Sequence, residues 1–106
     1  MSHDAFQSDR CAVLMKALSE PARLRIVDLL RAGPKSVSEI ADELELELVN
    51  ASHHLGVLKH SGIVECRRDG RQMIYNLAEG LLQGKGRDNQ QLDFGCCQLV
   101  VPLTKK

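Results

Sequence analysis

Two adjacent cysteines near the end of the chain, Cys96 and Cys97, are its sharpest chemical signal outside residues 48–75. Thiolates are the ligands that soft ions prefer, and two thiols in one short segment supply most of a three-coordinate site. Adjacent side chains on a regular strand point to opposite faces, so joint binding requires an irregular backbone, which Gly95 permits. The alternative is a pair of small hydrophobic side chains packed in an interface, because free cysteine is commonly buried.

The chain has four cysteines in total, Cys11, Cys66, Cys96 and Cys97. In a secreted miniprotein they would indicate a disulfide framework. The N-terminal segment is polar, however, and no apolar run approaches the ~20 residues that a membrane helix needs, so we expect a cytoplasmic protein with no membrane partner. In a reducing cytosol these cysteines are free thiols, metal ligands or redox sensors. Cys66 lies among apolar residues of a predicted strand, which favours a packing role.

A second group of chemically notable residues lies between positions 48 and 75. Asparagine and serine near the start of a helix can hydrogen-bond to base edges, and asparagine can pair bidentately with adenine. Arginines around a tight Asp-Gly turn suit contact with phosphates or the minor groove. The residues predicted to bind double-stranded DNA are Val49, Asn50, Ser52, His53, Arg67, Arg68 and Arg71. The alternatives are an ordinary helix surface and a solvated hairpin.

The adjacent His53 and His54 make a poor metal site if they lie on a helix. Neighbouring helical residues point about 100° apart, and metal-binding pairs on helices are usually spaced by four residues. We therefore expect His53 to face a phosphate or a base and His54 to face the interior of the domain.

The charges of the chain are balanced in number but not in position. Its 14 basic and 14 acidic residues give a formal net charge of zero, which at first argues against DNA binding because phosphate contacts dominate the affinity. Residues 36–47 hold five acids and no base, whereas residues 48–75 hold Lys59 and three arginines against two acids. The acidic block is therefore local, and the predicted DNA-binding face is net basic.

Hydrophobic periodicity predicts two helices in the first third of the chain. The first covers residues 5–18 and places Phe6 and Val13 on its apolar face. Proline suits a first helical turn, so the second helix is predicted over residues 21–31, with Arg31 pointing outward. These helices would support the elements that carry the basic surface.

Two further helices follow with a short turn between them. Ser36 and Glu39 have the spacing of a capping box, which predicts a helix over residues 36–44. Residues 45–47 form the turn, and a fourth helix is predicted over residues 48–61. Two short helices joined by a short turn constitute a helix-turn-helix, in which the second helix is available for the major groove.

A basic hairpin is predicted directly after the fourth helix. Residues 63–67 alternate in polarity, Asp69-Gly70 is a strong turn signal, and residues 72–77 return. The predicted fold class is therefore mostly α with a small β-wing: a dimeric winged helix-turn-helix whose DNA-binding domain covers residues 1–80.

The C-terminal segment, residues 81–106, is predicted to sense a ligand and to contact a second copy of the chain. Leu81 and Leu82 fit a single helical turn, and the glycine-broken stretch 84–91 is loop-like. Residues 92–106 have the composition of an extended strand that Pro102 stops.

The stretches LSEPARLRIVDLL, SVSEIADELEL and ASHHLGVLKHSGIVECRRDGRQMIYNL resemble, in this order, the pattern of the ArsR/SmtB metalloregulators. The resemblance covers about residues 14–77. It implies a homodimeric repressor that binds operator DNA and releases it when an inducer binds. It also implies that the first helix and the C-terminal segment build the dimer interface. The chain has no Gly-rich phosphate loop, Gly-x-Ser-x-Gly elbow or Cys-x-x-Cys pair, so we expect no enzyme activity.

The chain departs from two sensing variants of that family. Residues 36–42 contain no cysteine, unlike the third helix of the thiol-based arsenic and cadmium sensors, and no histidine follows His60, as a zinc-type site would need. Cys96 and Cys97 look like the C-terminal cysteine pair of some arsenite-responsive members. The resemblance therefore implies As(III) or Sb(III) as inducer, with other thiophilic metal ions as alternatives. Cys11 is the favoured third ligand, because its helix and the C-terminal segment should meet at the dimer interface; the alternative is a partly exposed, inert thiol.

The sequence is compatible with two other functions. Oxidation or persulfidation of the same cysteines would make the chain a redox-sensing repressor. A winged helix that binds another protein and never touches DNA is the alternative of a different class, since a fold does not determine a function.

Overall fold

The computed structural model describes residues 4–84 and 89–103 of the chain. Within these residues, none of the helices is long and apolar enough to cross a membrane. The elements are α1 (Ser8–Ala17), α2 (Pro21–Leu30), β1 (Lys35–Ser36), α3 (Val37–Leu44), α4 (Leu48–His60), β2 (Val64–Asp69), β3 (Gln72–Leu77), β4 (Leu82–Gln83), β5 (Asn89–Asp93) and β6 (Gln98–Pro102). They form a mostly helical winged helix-turn-helix with two small antiparallel sheets, in the orders β1–β3–β2 and β4–β5–β6.

An aliphatic core joins the helices to the base of the wing. The following side chains, drawn from different elements, have no exposure to solvent: Ile26, Ile40, Leu55, Leu58 and Ile63. Fully burying a side chain of this size contributes about 1.5–3 kcal/mol. Leu92 and Phe94 of the C-terminal segment belong to the same buried cluster, so this segment packs on the helical core.

Helix α1 is shorter than the predicted helix and buries a narrower face. Its buried residues recur at three-residue spacing and are Cys11, Leu14 and Ala17. The expectation that Phe6 and Val13 share this face is wrong, because they are 67% and 55% exposed. Phe6 precedes the helix, since Gln7 takes a left-handed backbone conformation with φ of 54°. Val13 follows Cys11 by two positions and therefore lies about 200° around the helix.

The guanidinium of Arg31 is buried, although the sequence predicts that it points outward. The side chain has 7% exposure and is paired with Asp28. It also donates hydrogen bonds to Oε1 of Gln90 and to the carbonyl oxygen of Pro102. These two residues belong to β5 and β6, which fold across the end of α2. The prediction was wrong because helical periodicity carries no information about a hairpin that arrives from elsewhere in the chain.

The capping box at the start of α3 is confirmed. The backbone N–H of Glu39 donates to the Ser36 hydroxyl at 3.1 Å, and the Ser36 N–H donates to the Glu39 carboxylate at 2.8 Å. The turn after α3 is also confirmed, because Glu45 takes a left-handed conformation with φ of 56° and the N–H of Leu46 donates to Ala41. Helix α4 begins two residues later, at Leu48, within one residue of the predicted range at each end.

The predicted wing is present as the antiparallel pair β2–β3. Its strands run in register from Val64 opposite Leu77 to Asp69 opposite Gln72. The two-residue turn therefore consists of Gly70 and Arg71, one position later than the Asp-Gly signal, and Gly70 has the positive φ of 66° that such a turn needs. Strand β1 pairs with the other side of β3 and ties the wing to the start of α3.

The segment after Leu77 forms a second sheet, so the predicted helical turn and single extended strand are wrong. Leu82–Gln83 is a strand, and the following chain folds back on itself as the hairpin β5–β6. The reversal includes Gly95, whose φ of 90° is easy for glycine and strained for other residues. β6 ends at Pro102, as predicted. Part of the predicted loop, residues 85–88, lies outside the described residues.

Removing the capping hydroxyl should destabilise the fold measurably. We expect Ser36→Ala to lower the free energy of unfolding by about 1–2 kcal/mol, because Ser36 is 2% exposed and its loss leaves the N–H of Glu39 without its acceptor. Urea denaturation measures this effect. Ser38→Ala, at an exposed position of the same helix, is the matched control and should change stability much less. Equal effects of the two substitutions would contradict this role of the cap.

Candidate nucleic-acid interface and cysteine cluster

Helix α4 presents the predicted DNA-contacting residues on the face opposite its buried stripe. Its residues Ala51, Leu55 and Leu58 are fully buried. The predicted contacts of its first two turns are all exposed, namely Val49, Asn50, Ser52 and His53. In the described part of the chain no side chain caps the N-terminus of α4, so its first N–H groups and the positive end of the helix dipole are available to a phosphate. The arrangement suits a helix that enters a groove.

The three arginines of the wing are exposed and near its tip. Arg67 and Arg68 lie at the distal end of β2, and Arg71 lies in the turn. Within residues 4–84 and 89–103, none of the three forms a salt bridge. Their charges are therefore available to an external anion, and phosphate contacts of this kind give affinity without reading sequence.

His53 and His54 diverge as their helical spacing predicts. His53 is exposed, and His54 is half-buried, with ring centroids 5.7 Å apart and planes tilted by 57°. Nδ1 of His54 lies 3.2 Å from Nη1 of Arg23, whose Nε donates to the carbonyl oxygen of Ala17 at the end of α1. Burial, and then the charge of Arg23, lower the pKa of His54 below its ordinary value of 6.5. The fold therefore favours the neutral imidazole more than the unfolded chain does.

Three cysteines meet where α1 contacts the turn between β5 and β6. The sulfur atoms of Cys11, Cys96 and Cys97 all lie within 4.8 Å of one another in one chain. Cys11 and Cys96 are joined as a disulfide with Cα atoms 6.0 Å apart, and the sulfurs of Cys96 and Cys97 are 4.0 Å apart. Cys11 is buried and the other two are half-buried. The structure therefore brings together the three cysteines that the sequence singles out.

The turn gives Cys96 and Cys97 the irregular backbone that their joint approach requires. The N–H of Phe94 donates to the carbonyl oxygen of Cys97 at 2.9 Å, which closes the turn. Gly95 occupies the left-handed region, and its N–H donates to the Asp93 carboxylate at 2.9 Å. Because neither cysteine lies in a regular strand, their sulfurs approach one another instead of pointing to opposite faces.

Sequence reasoning gave no functional weight to Arg10, which the structure places beside this cluster. Its Nη2 donates a hydrogen bond to the carbonyl oxygen of Phe94 at 2.9 Å. The two residues are 84 positions apart, and no local pattern could have linked them. The only sequence signal was that Arg10 directly precedes Cys11.

Cys66 lies apart from the cluster, in the wing. It is a half-buried free thiol that pairs across the strands with Tyr75. Burial, and then the proximity of Cys66, raise the pKa of Tyr75 above its ordinary value. This environment agrees with the predicted packing role in the strand pair.

Comparisons with known proteins match the helix-turn-helix and its surroundings. A family model described as a helix-turn-helix domain matches residues 18–67. An uncharacterised HTH-type transcriptional regulator of Mycobacterium tuberculosis is 46% identical over 68 residues, which cover 63% of this chain and 60% of that protein. The transcriptional repressor SdpR of Bacillus subtilis is 34% identical over 70 residues, which cover 66% of this chain and 78% of that protein. The chain thus spans less than two thirds of the first relative but more of the second.

A solved structure agrees with these matches. It is a homodimeric winged helix-turn-helix DNA-binding domain from Mycobacterium bovis, described as a possible ArsR-family transcriptional regulator. It superposes with a TM-score of 0.66 at 40% identity and covers 68% of this chain and 67% of that chain. The relatives named here are described as transcription regulators, the class of protein that the sequence predicts for this chain.

The low pKa of His54 should make stability depend on pH. As the pH falls through about 6.5, the unfolded chain binds a proton that folded His54 resists, so we expect the free energy of unfolding to decrease between that pH and the lower pKa of the folded state. His54→Gln should reduce this decrease. Urea denaturation over a pH series measures it, with the exposed His60→Gln as control. A pH dependence in His54→Gln that matches the wild type would contradict this assignment.

Proposed function

The chain belongs to the ArsR/SmtB family of winged helix-turn-helix transcriptional regulators, and from this premise we propose that it is a homodimeric repressor controlled by cysteine thiols. In this proposal α4 and the wing bind operator DNA. A thiophilic ion, As(III) or Sb(III), then binds Cys11, Cys96 and Cys97 and releases the DNA. The observation that carries the sensing part is the position of these three sulfurs, all within 4.8 Å of one another.

The exposed chemistry of α4 and the wing supports DNA binding. Asn50 and Ser52 offer hydrogen-bonding groups near the start of α4, where a helix in the major groove reaches base edges. The arginines at the wing tip add positive charge at the place where the wing would lie against the phosphates of the DNA backbone. A relative is named a repressor and a structural neighbour is a homodimer, which supports repression by a dimer.

The donor set of the cluster supports a soft ion. Metal–thiolate bonds of the zinc type are about 2.3 Å long, so two sulfurs on one ion lie at most about 4.6 Å apart. The sulfurs of Cys96 and Cys97, 4.0 Å apart, already lie within that limit, and all three sulfurs lie within 4.8 Å of one another. Once the Cys11–Cys96 disulfide is reduced, small side-chain rotations would let the three sulfurs contact one ion. Among residues 4–84 and 89–103, the set consists of thiols without carboxylates or imidazoles, which favours a thiophilic ion over a hard cation. Binding requires the reduced state, because a sulfur in a disulfide is not a thiolate.

The disulfide between Cys11 and Cys96 supports a second candidate, a redox-controlled repressor. An oxidant would convert the two thiols into the disulfide, with loss of two protons and two electrons, and Cys97 would remain a free thiol. The two mechanisms exclude one another at any moment, since both use Cys11 and Cys96. They also make different demands on Cys97, which only ion binding needs.

A chain of contacts could carry the signal from the cysteines to α4. Cys11 lies on α1, and the carbonyl oxygen of Ala17 at the end of α1 accepts a hydrogen bond from Arg23. Arg23 also contacts His54 on α4. A shift of α1 on ion binding would therefore act through Arg23 on the helix that we propose to read DNA, which is the physical coupling that allostery requires.

Charge removal at the wing tip should weaken DNA binding in general. We expect the combined change of Arg67, Arg68 and Arg71 to alanine to reduce the affinity for all duplexes and to flatten the salt dependence of that affinity. In contrast, Asn50→Ala should reduce the free-energy difference between the correct and the wrong base at one position by ~1–3 kcal/mol. Titrations at several salt concentrations, with a duplex selected from a random pool, measure both effects. Arg25→Ala, an exposed arginine of α2, is the control. Wild-type affinity in the triple variant would show that the wing is not part of the interface.

Loss of the paired thiols should separate DNA binding from release. We expect the double variant Cys96→Ser and Cys97→Ser to bind the selected duplex like the wild type and to be insensitive to arsenite, because two of its three proposed ligands are gone. Fluorescence anisotropy with arsenite, antimonite and peroxide in separate titrations measures release, and Cys66→Ser is the control that keeps the cluster. Unchanged arsenite release in the double variant would eliminate this site.

The single variant Cys97→Ser separates the two candidate mechanisms. If an ion is the inducer, this variant should lose much of its arsenite response, since one of three ligands is absent. If the disulfide is the switch, peroxide should release DNA from the wild type and from Cys97→Ser alike, and arsenite should release neither.

A further inference from the structure

The side chain of Arg10 joins α1 to the turn that carries Cys96 and Cys97. Its Nη2 donates to the carbonyl oxygen of Phe94 at 2.9 Å. The same nitrogen lies 3.3 Å from the position that a Cβ on Gly95 would occupy. The guanidinium therefore rests against the backbone of the first half of the turn, where the absence of a side chain on Gly95 leaves room for it.

Phe94 uses both of its backbone polar groups to fix this turn. Its N–H donates to Cys97, and its carbonyl oxygen accepts from Arg10. Phe94 is 4% exposed, and a shielded carbonyl without a partner would cost free energy. Arg10 thus holds the residue whose amide closes the turn around the cysteine pair.

The stability of α1 does not account for an arginine at this position. Arg10 is the third residue of the helix, and a positive charge in the first turn is disfavoured by the helix dipole. The favourable interaction of Arg10 is instead its hydrogen bond to the carbonyl oxygen of Phe94. Although Arg10 and Cys11 point about 100° apart on the helix, the long side chain of Arg10 reaches the backbone of the same turn whose Cys96 meets the Cys11 sulfur.

We infer that Arg10 is a positioning residue for the cysteine cluster: by holding Phe94 against α1, it sets the approach of the Cys11 sulfur to those of Cys96 and Cys97. The inference rests on the proposed sensing role of these cysteines. Without the contact, Cys96 and Cys97 remain together in their turn, but the effective concentration of the Cys11 thiol beside them falls. Arg10 acts through the backbone of the turn and need not contact the ion.

A double-mutant cycle between Arg10 and Cys11 tests this role. We expect Arg10→Gln to weaken arsenite binding by ~10-fold in the full chain and by less than ~2-fold in a Cys11→Ser background, where there is no third thiol to position. Arg10→Lys keeps the charge and a donor and should restore part of the affinity. Calorimetry on the reduced protein gives these affinities, and Arg25→Ala is the matched control.

Two outcomes of the cycle would overturn the inference. One is an unchanged affinity in Arg10→Gln. The other is an equal loss in both backgrounds, which would mean that Arg10 supports the fold in general and not the approach of Cys11. Thermal melting of Arg10→Gln accompanies the cycle and measures the loss of the hydrogen bond to Phe94, a loss that is common to both backgrounds and therefore cancels in the cycle.

A second measurement keeps the inference testable without any metalloid. Two thiols and one oxidised glutathione give the Cys11–Cys96 disulfide and two reduced glutathiones, and the equilibrium reports how well the two sulfurs are placed. We expect Arg10→Gln to lower this equilibrium constant by ~10-fold relative to the wild type and to Arg25→Ala. A shifted disulfide equilibrium in a protein that does not bind arsenite would refute the proposed inducer and support the positioning role. An unshifted equilibrium would refute the positioning role.

Discussion

The burial of one stripe of α4 is the constraint on which the rest of the structure depends. Leu55 and Leu58 are inaccessible to solvent and pack in one cluster with Ile26, Ile40 and Ile63 from other elements. This packing fixes the rotation of α4 about its axis, and the side chains on its opposite face are therefore exposed in a defined direction. Ile63 lies between the end of α4 and the first residue of β2, so the same core also anchors the start of the wing. A surface that could read DNA thus follows from where the aliphatic residues must go.

The C-terminal hairpin is the second feature that defines this chain, and two arginines attach it to the helices. Arg10 of α1 donates to the carbonyl oxygen of Phe94 at the turn, and Arg31 after α2 donates to that of Pro102 at the end of β6. Each arginine thus gives a backbone carbonyl of the C-terminal segment a hydrogen-bond donor from the helical part of the chain. The buried side chain of Phe94 also packs in the hydrophobic core cluster. The hairpin is therefore held against the helices at both ends, which allows a short turn to keep two thiols beside a third on α1.

The proposed sensor and the proposed DNA surface lie on different elements. Arg23 of α2 links them, because it contacts both the end of α1 and His54 of α4. Arg23 is half-buried between the carbonyl oxygen of Ala17 and the imidazole of His54. The position is polar and partly desolvated, so changes in its hydrogen bonds have larger energetic consequences than they would in water. A regulator needs such a contact, since a ligand shifts a conformational equilibrium only if it interacts differently with the two states.

Local patterns in the sequence determined the helix-turn-helix, the capping box at Ser36 and the wing, because helix periodicity, caps and tight turns depend on residues only a few positions apart. They also singled out Cys96 and Cys97 as a chemical motif, although they could not show that the two sulfurs approach each other. The tertiary structure alone decided that the C-terminal segment is a hairpin, that Arg31 is buried, and that Cys11 meets the cysteine pair within one chain. These features depend on contacts between residues as far apart as Cys11 and Cys96, 85 positions in sequence. No local propensity encodes such contacts, because they arise only when the whole core packs.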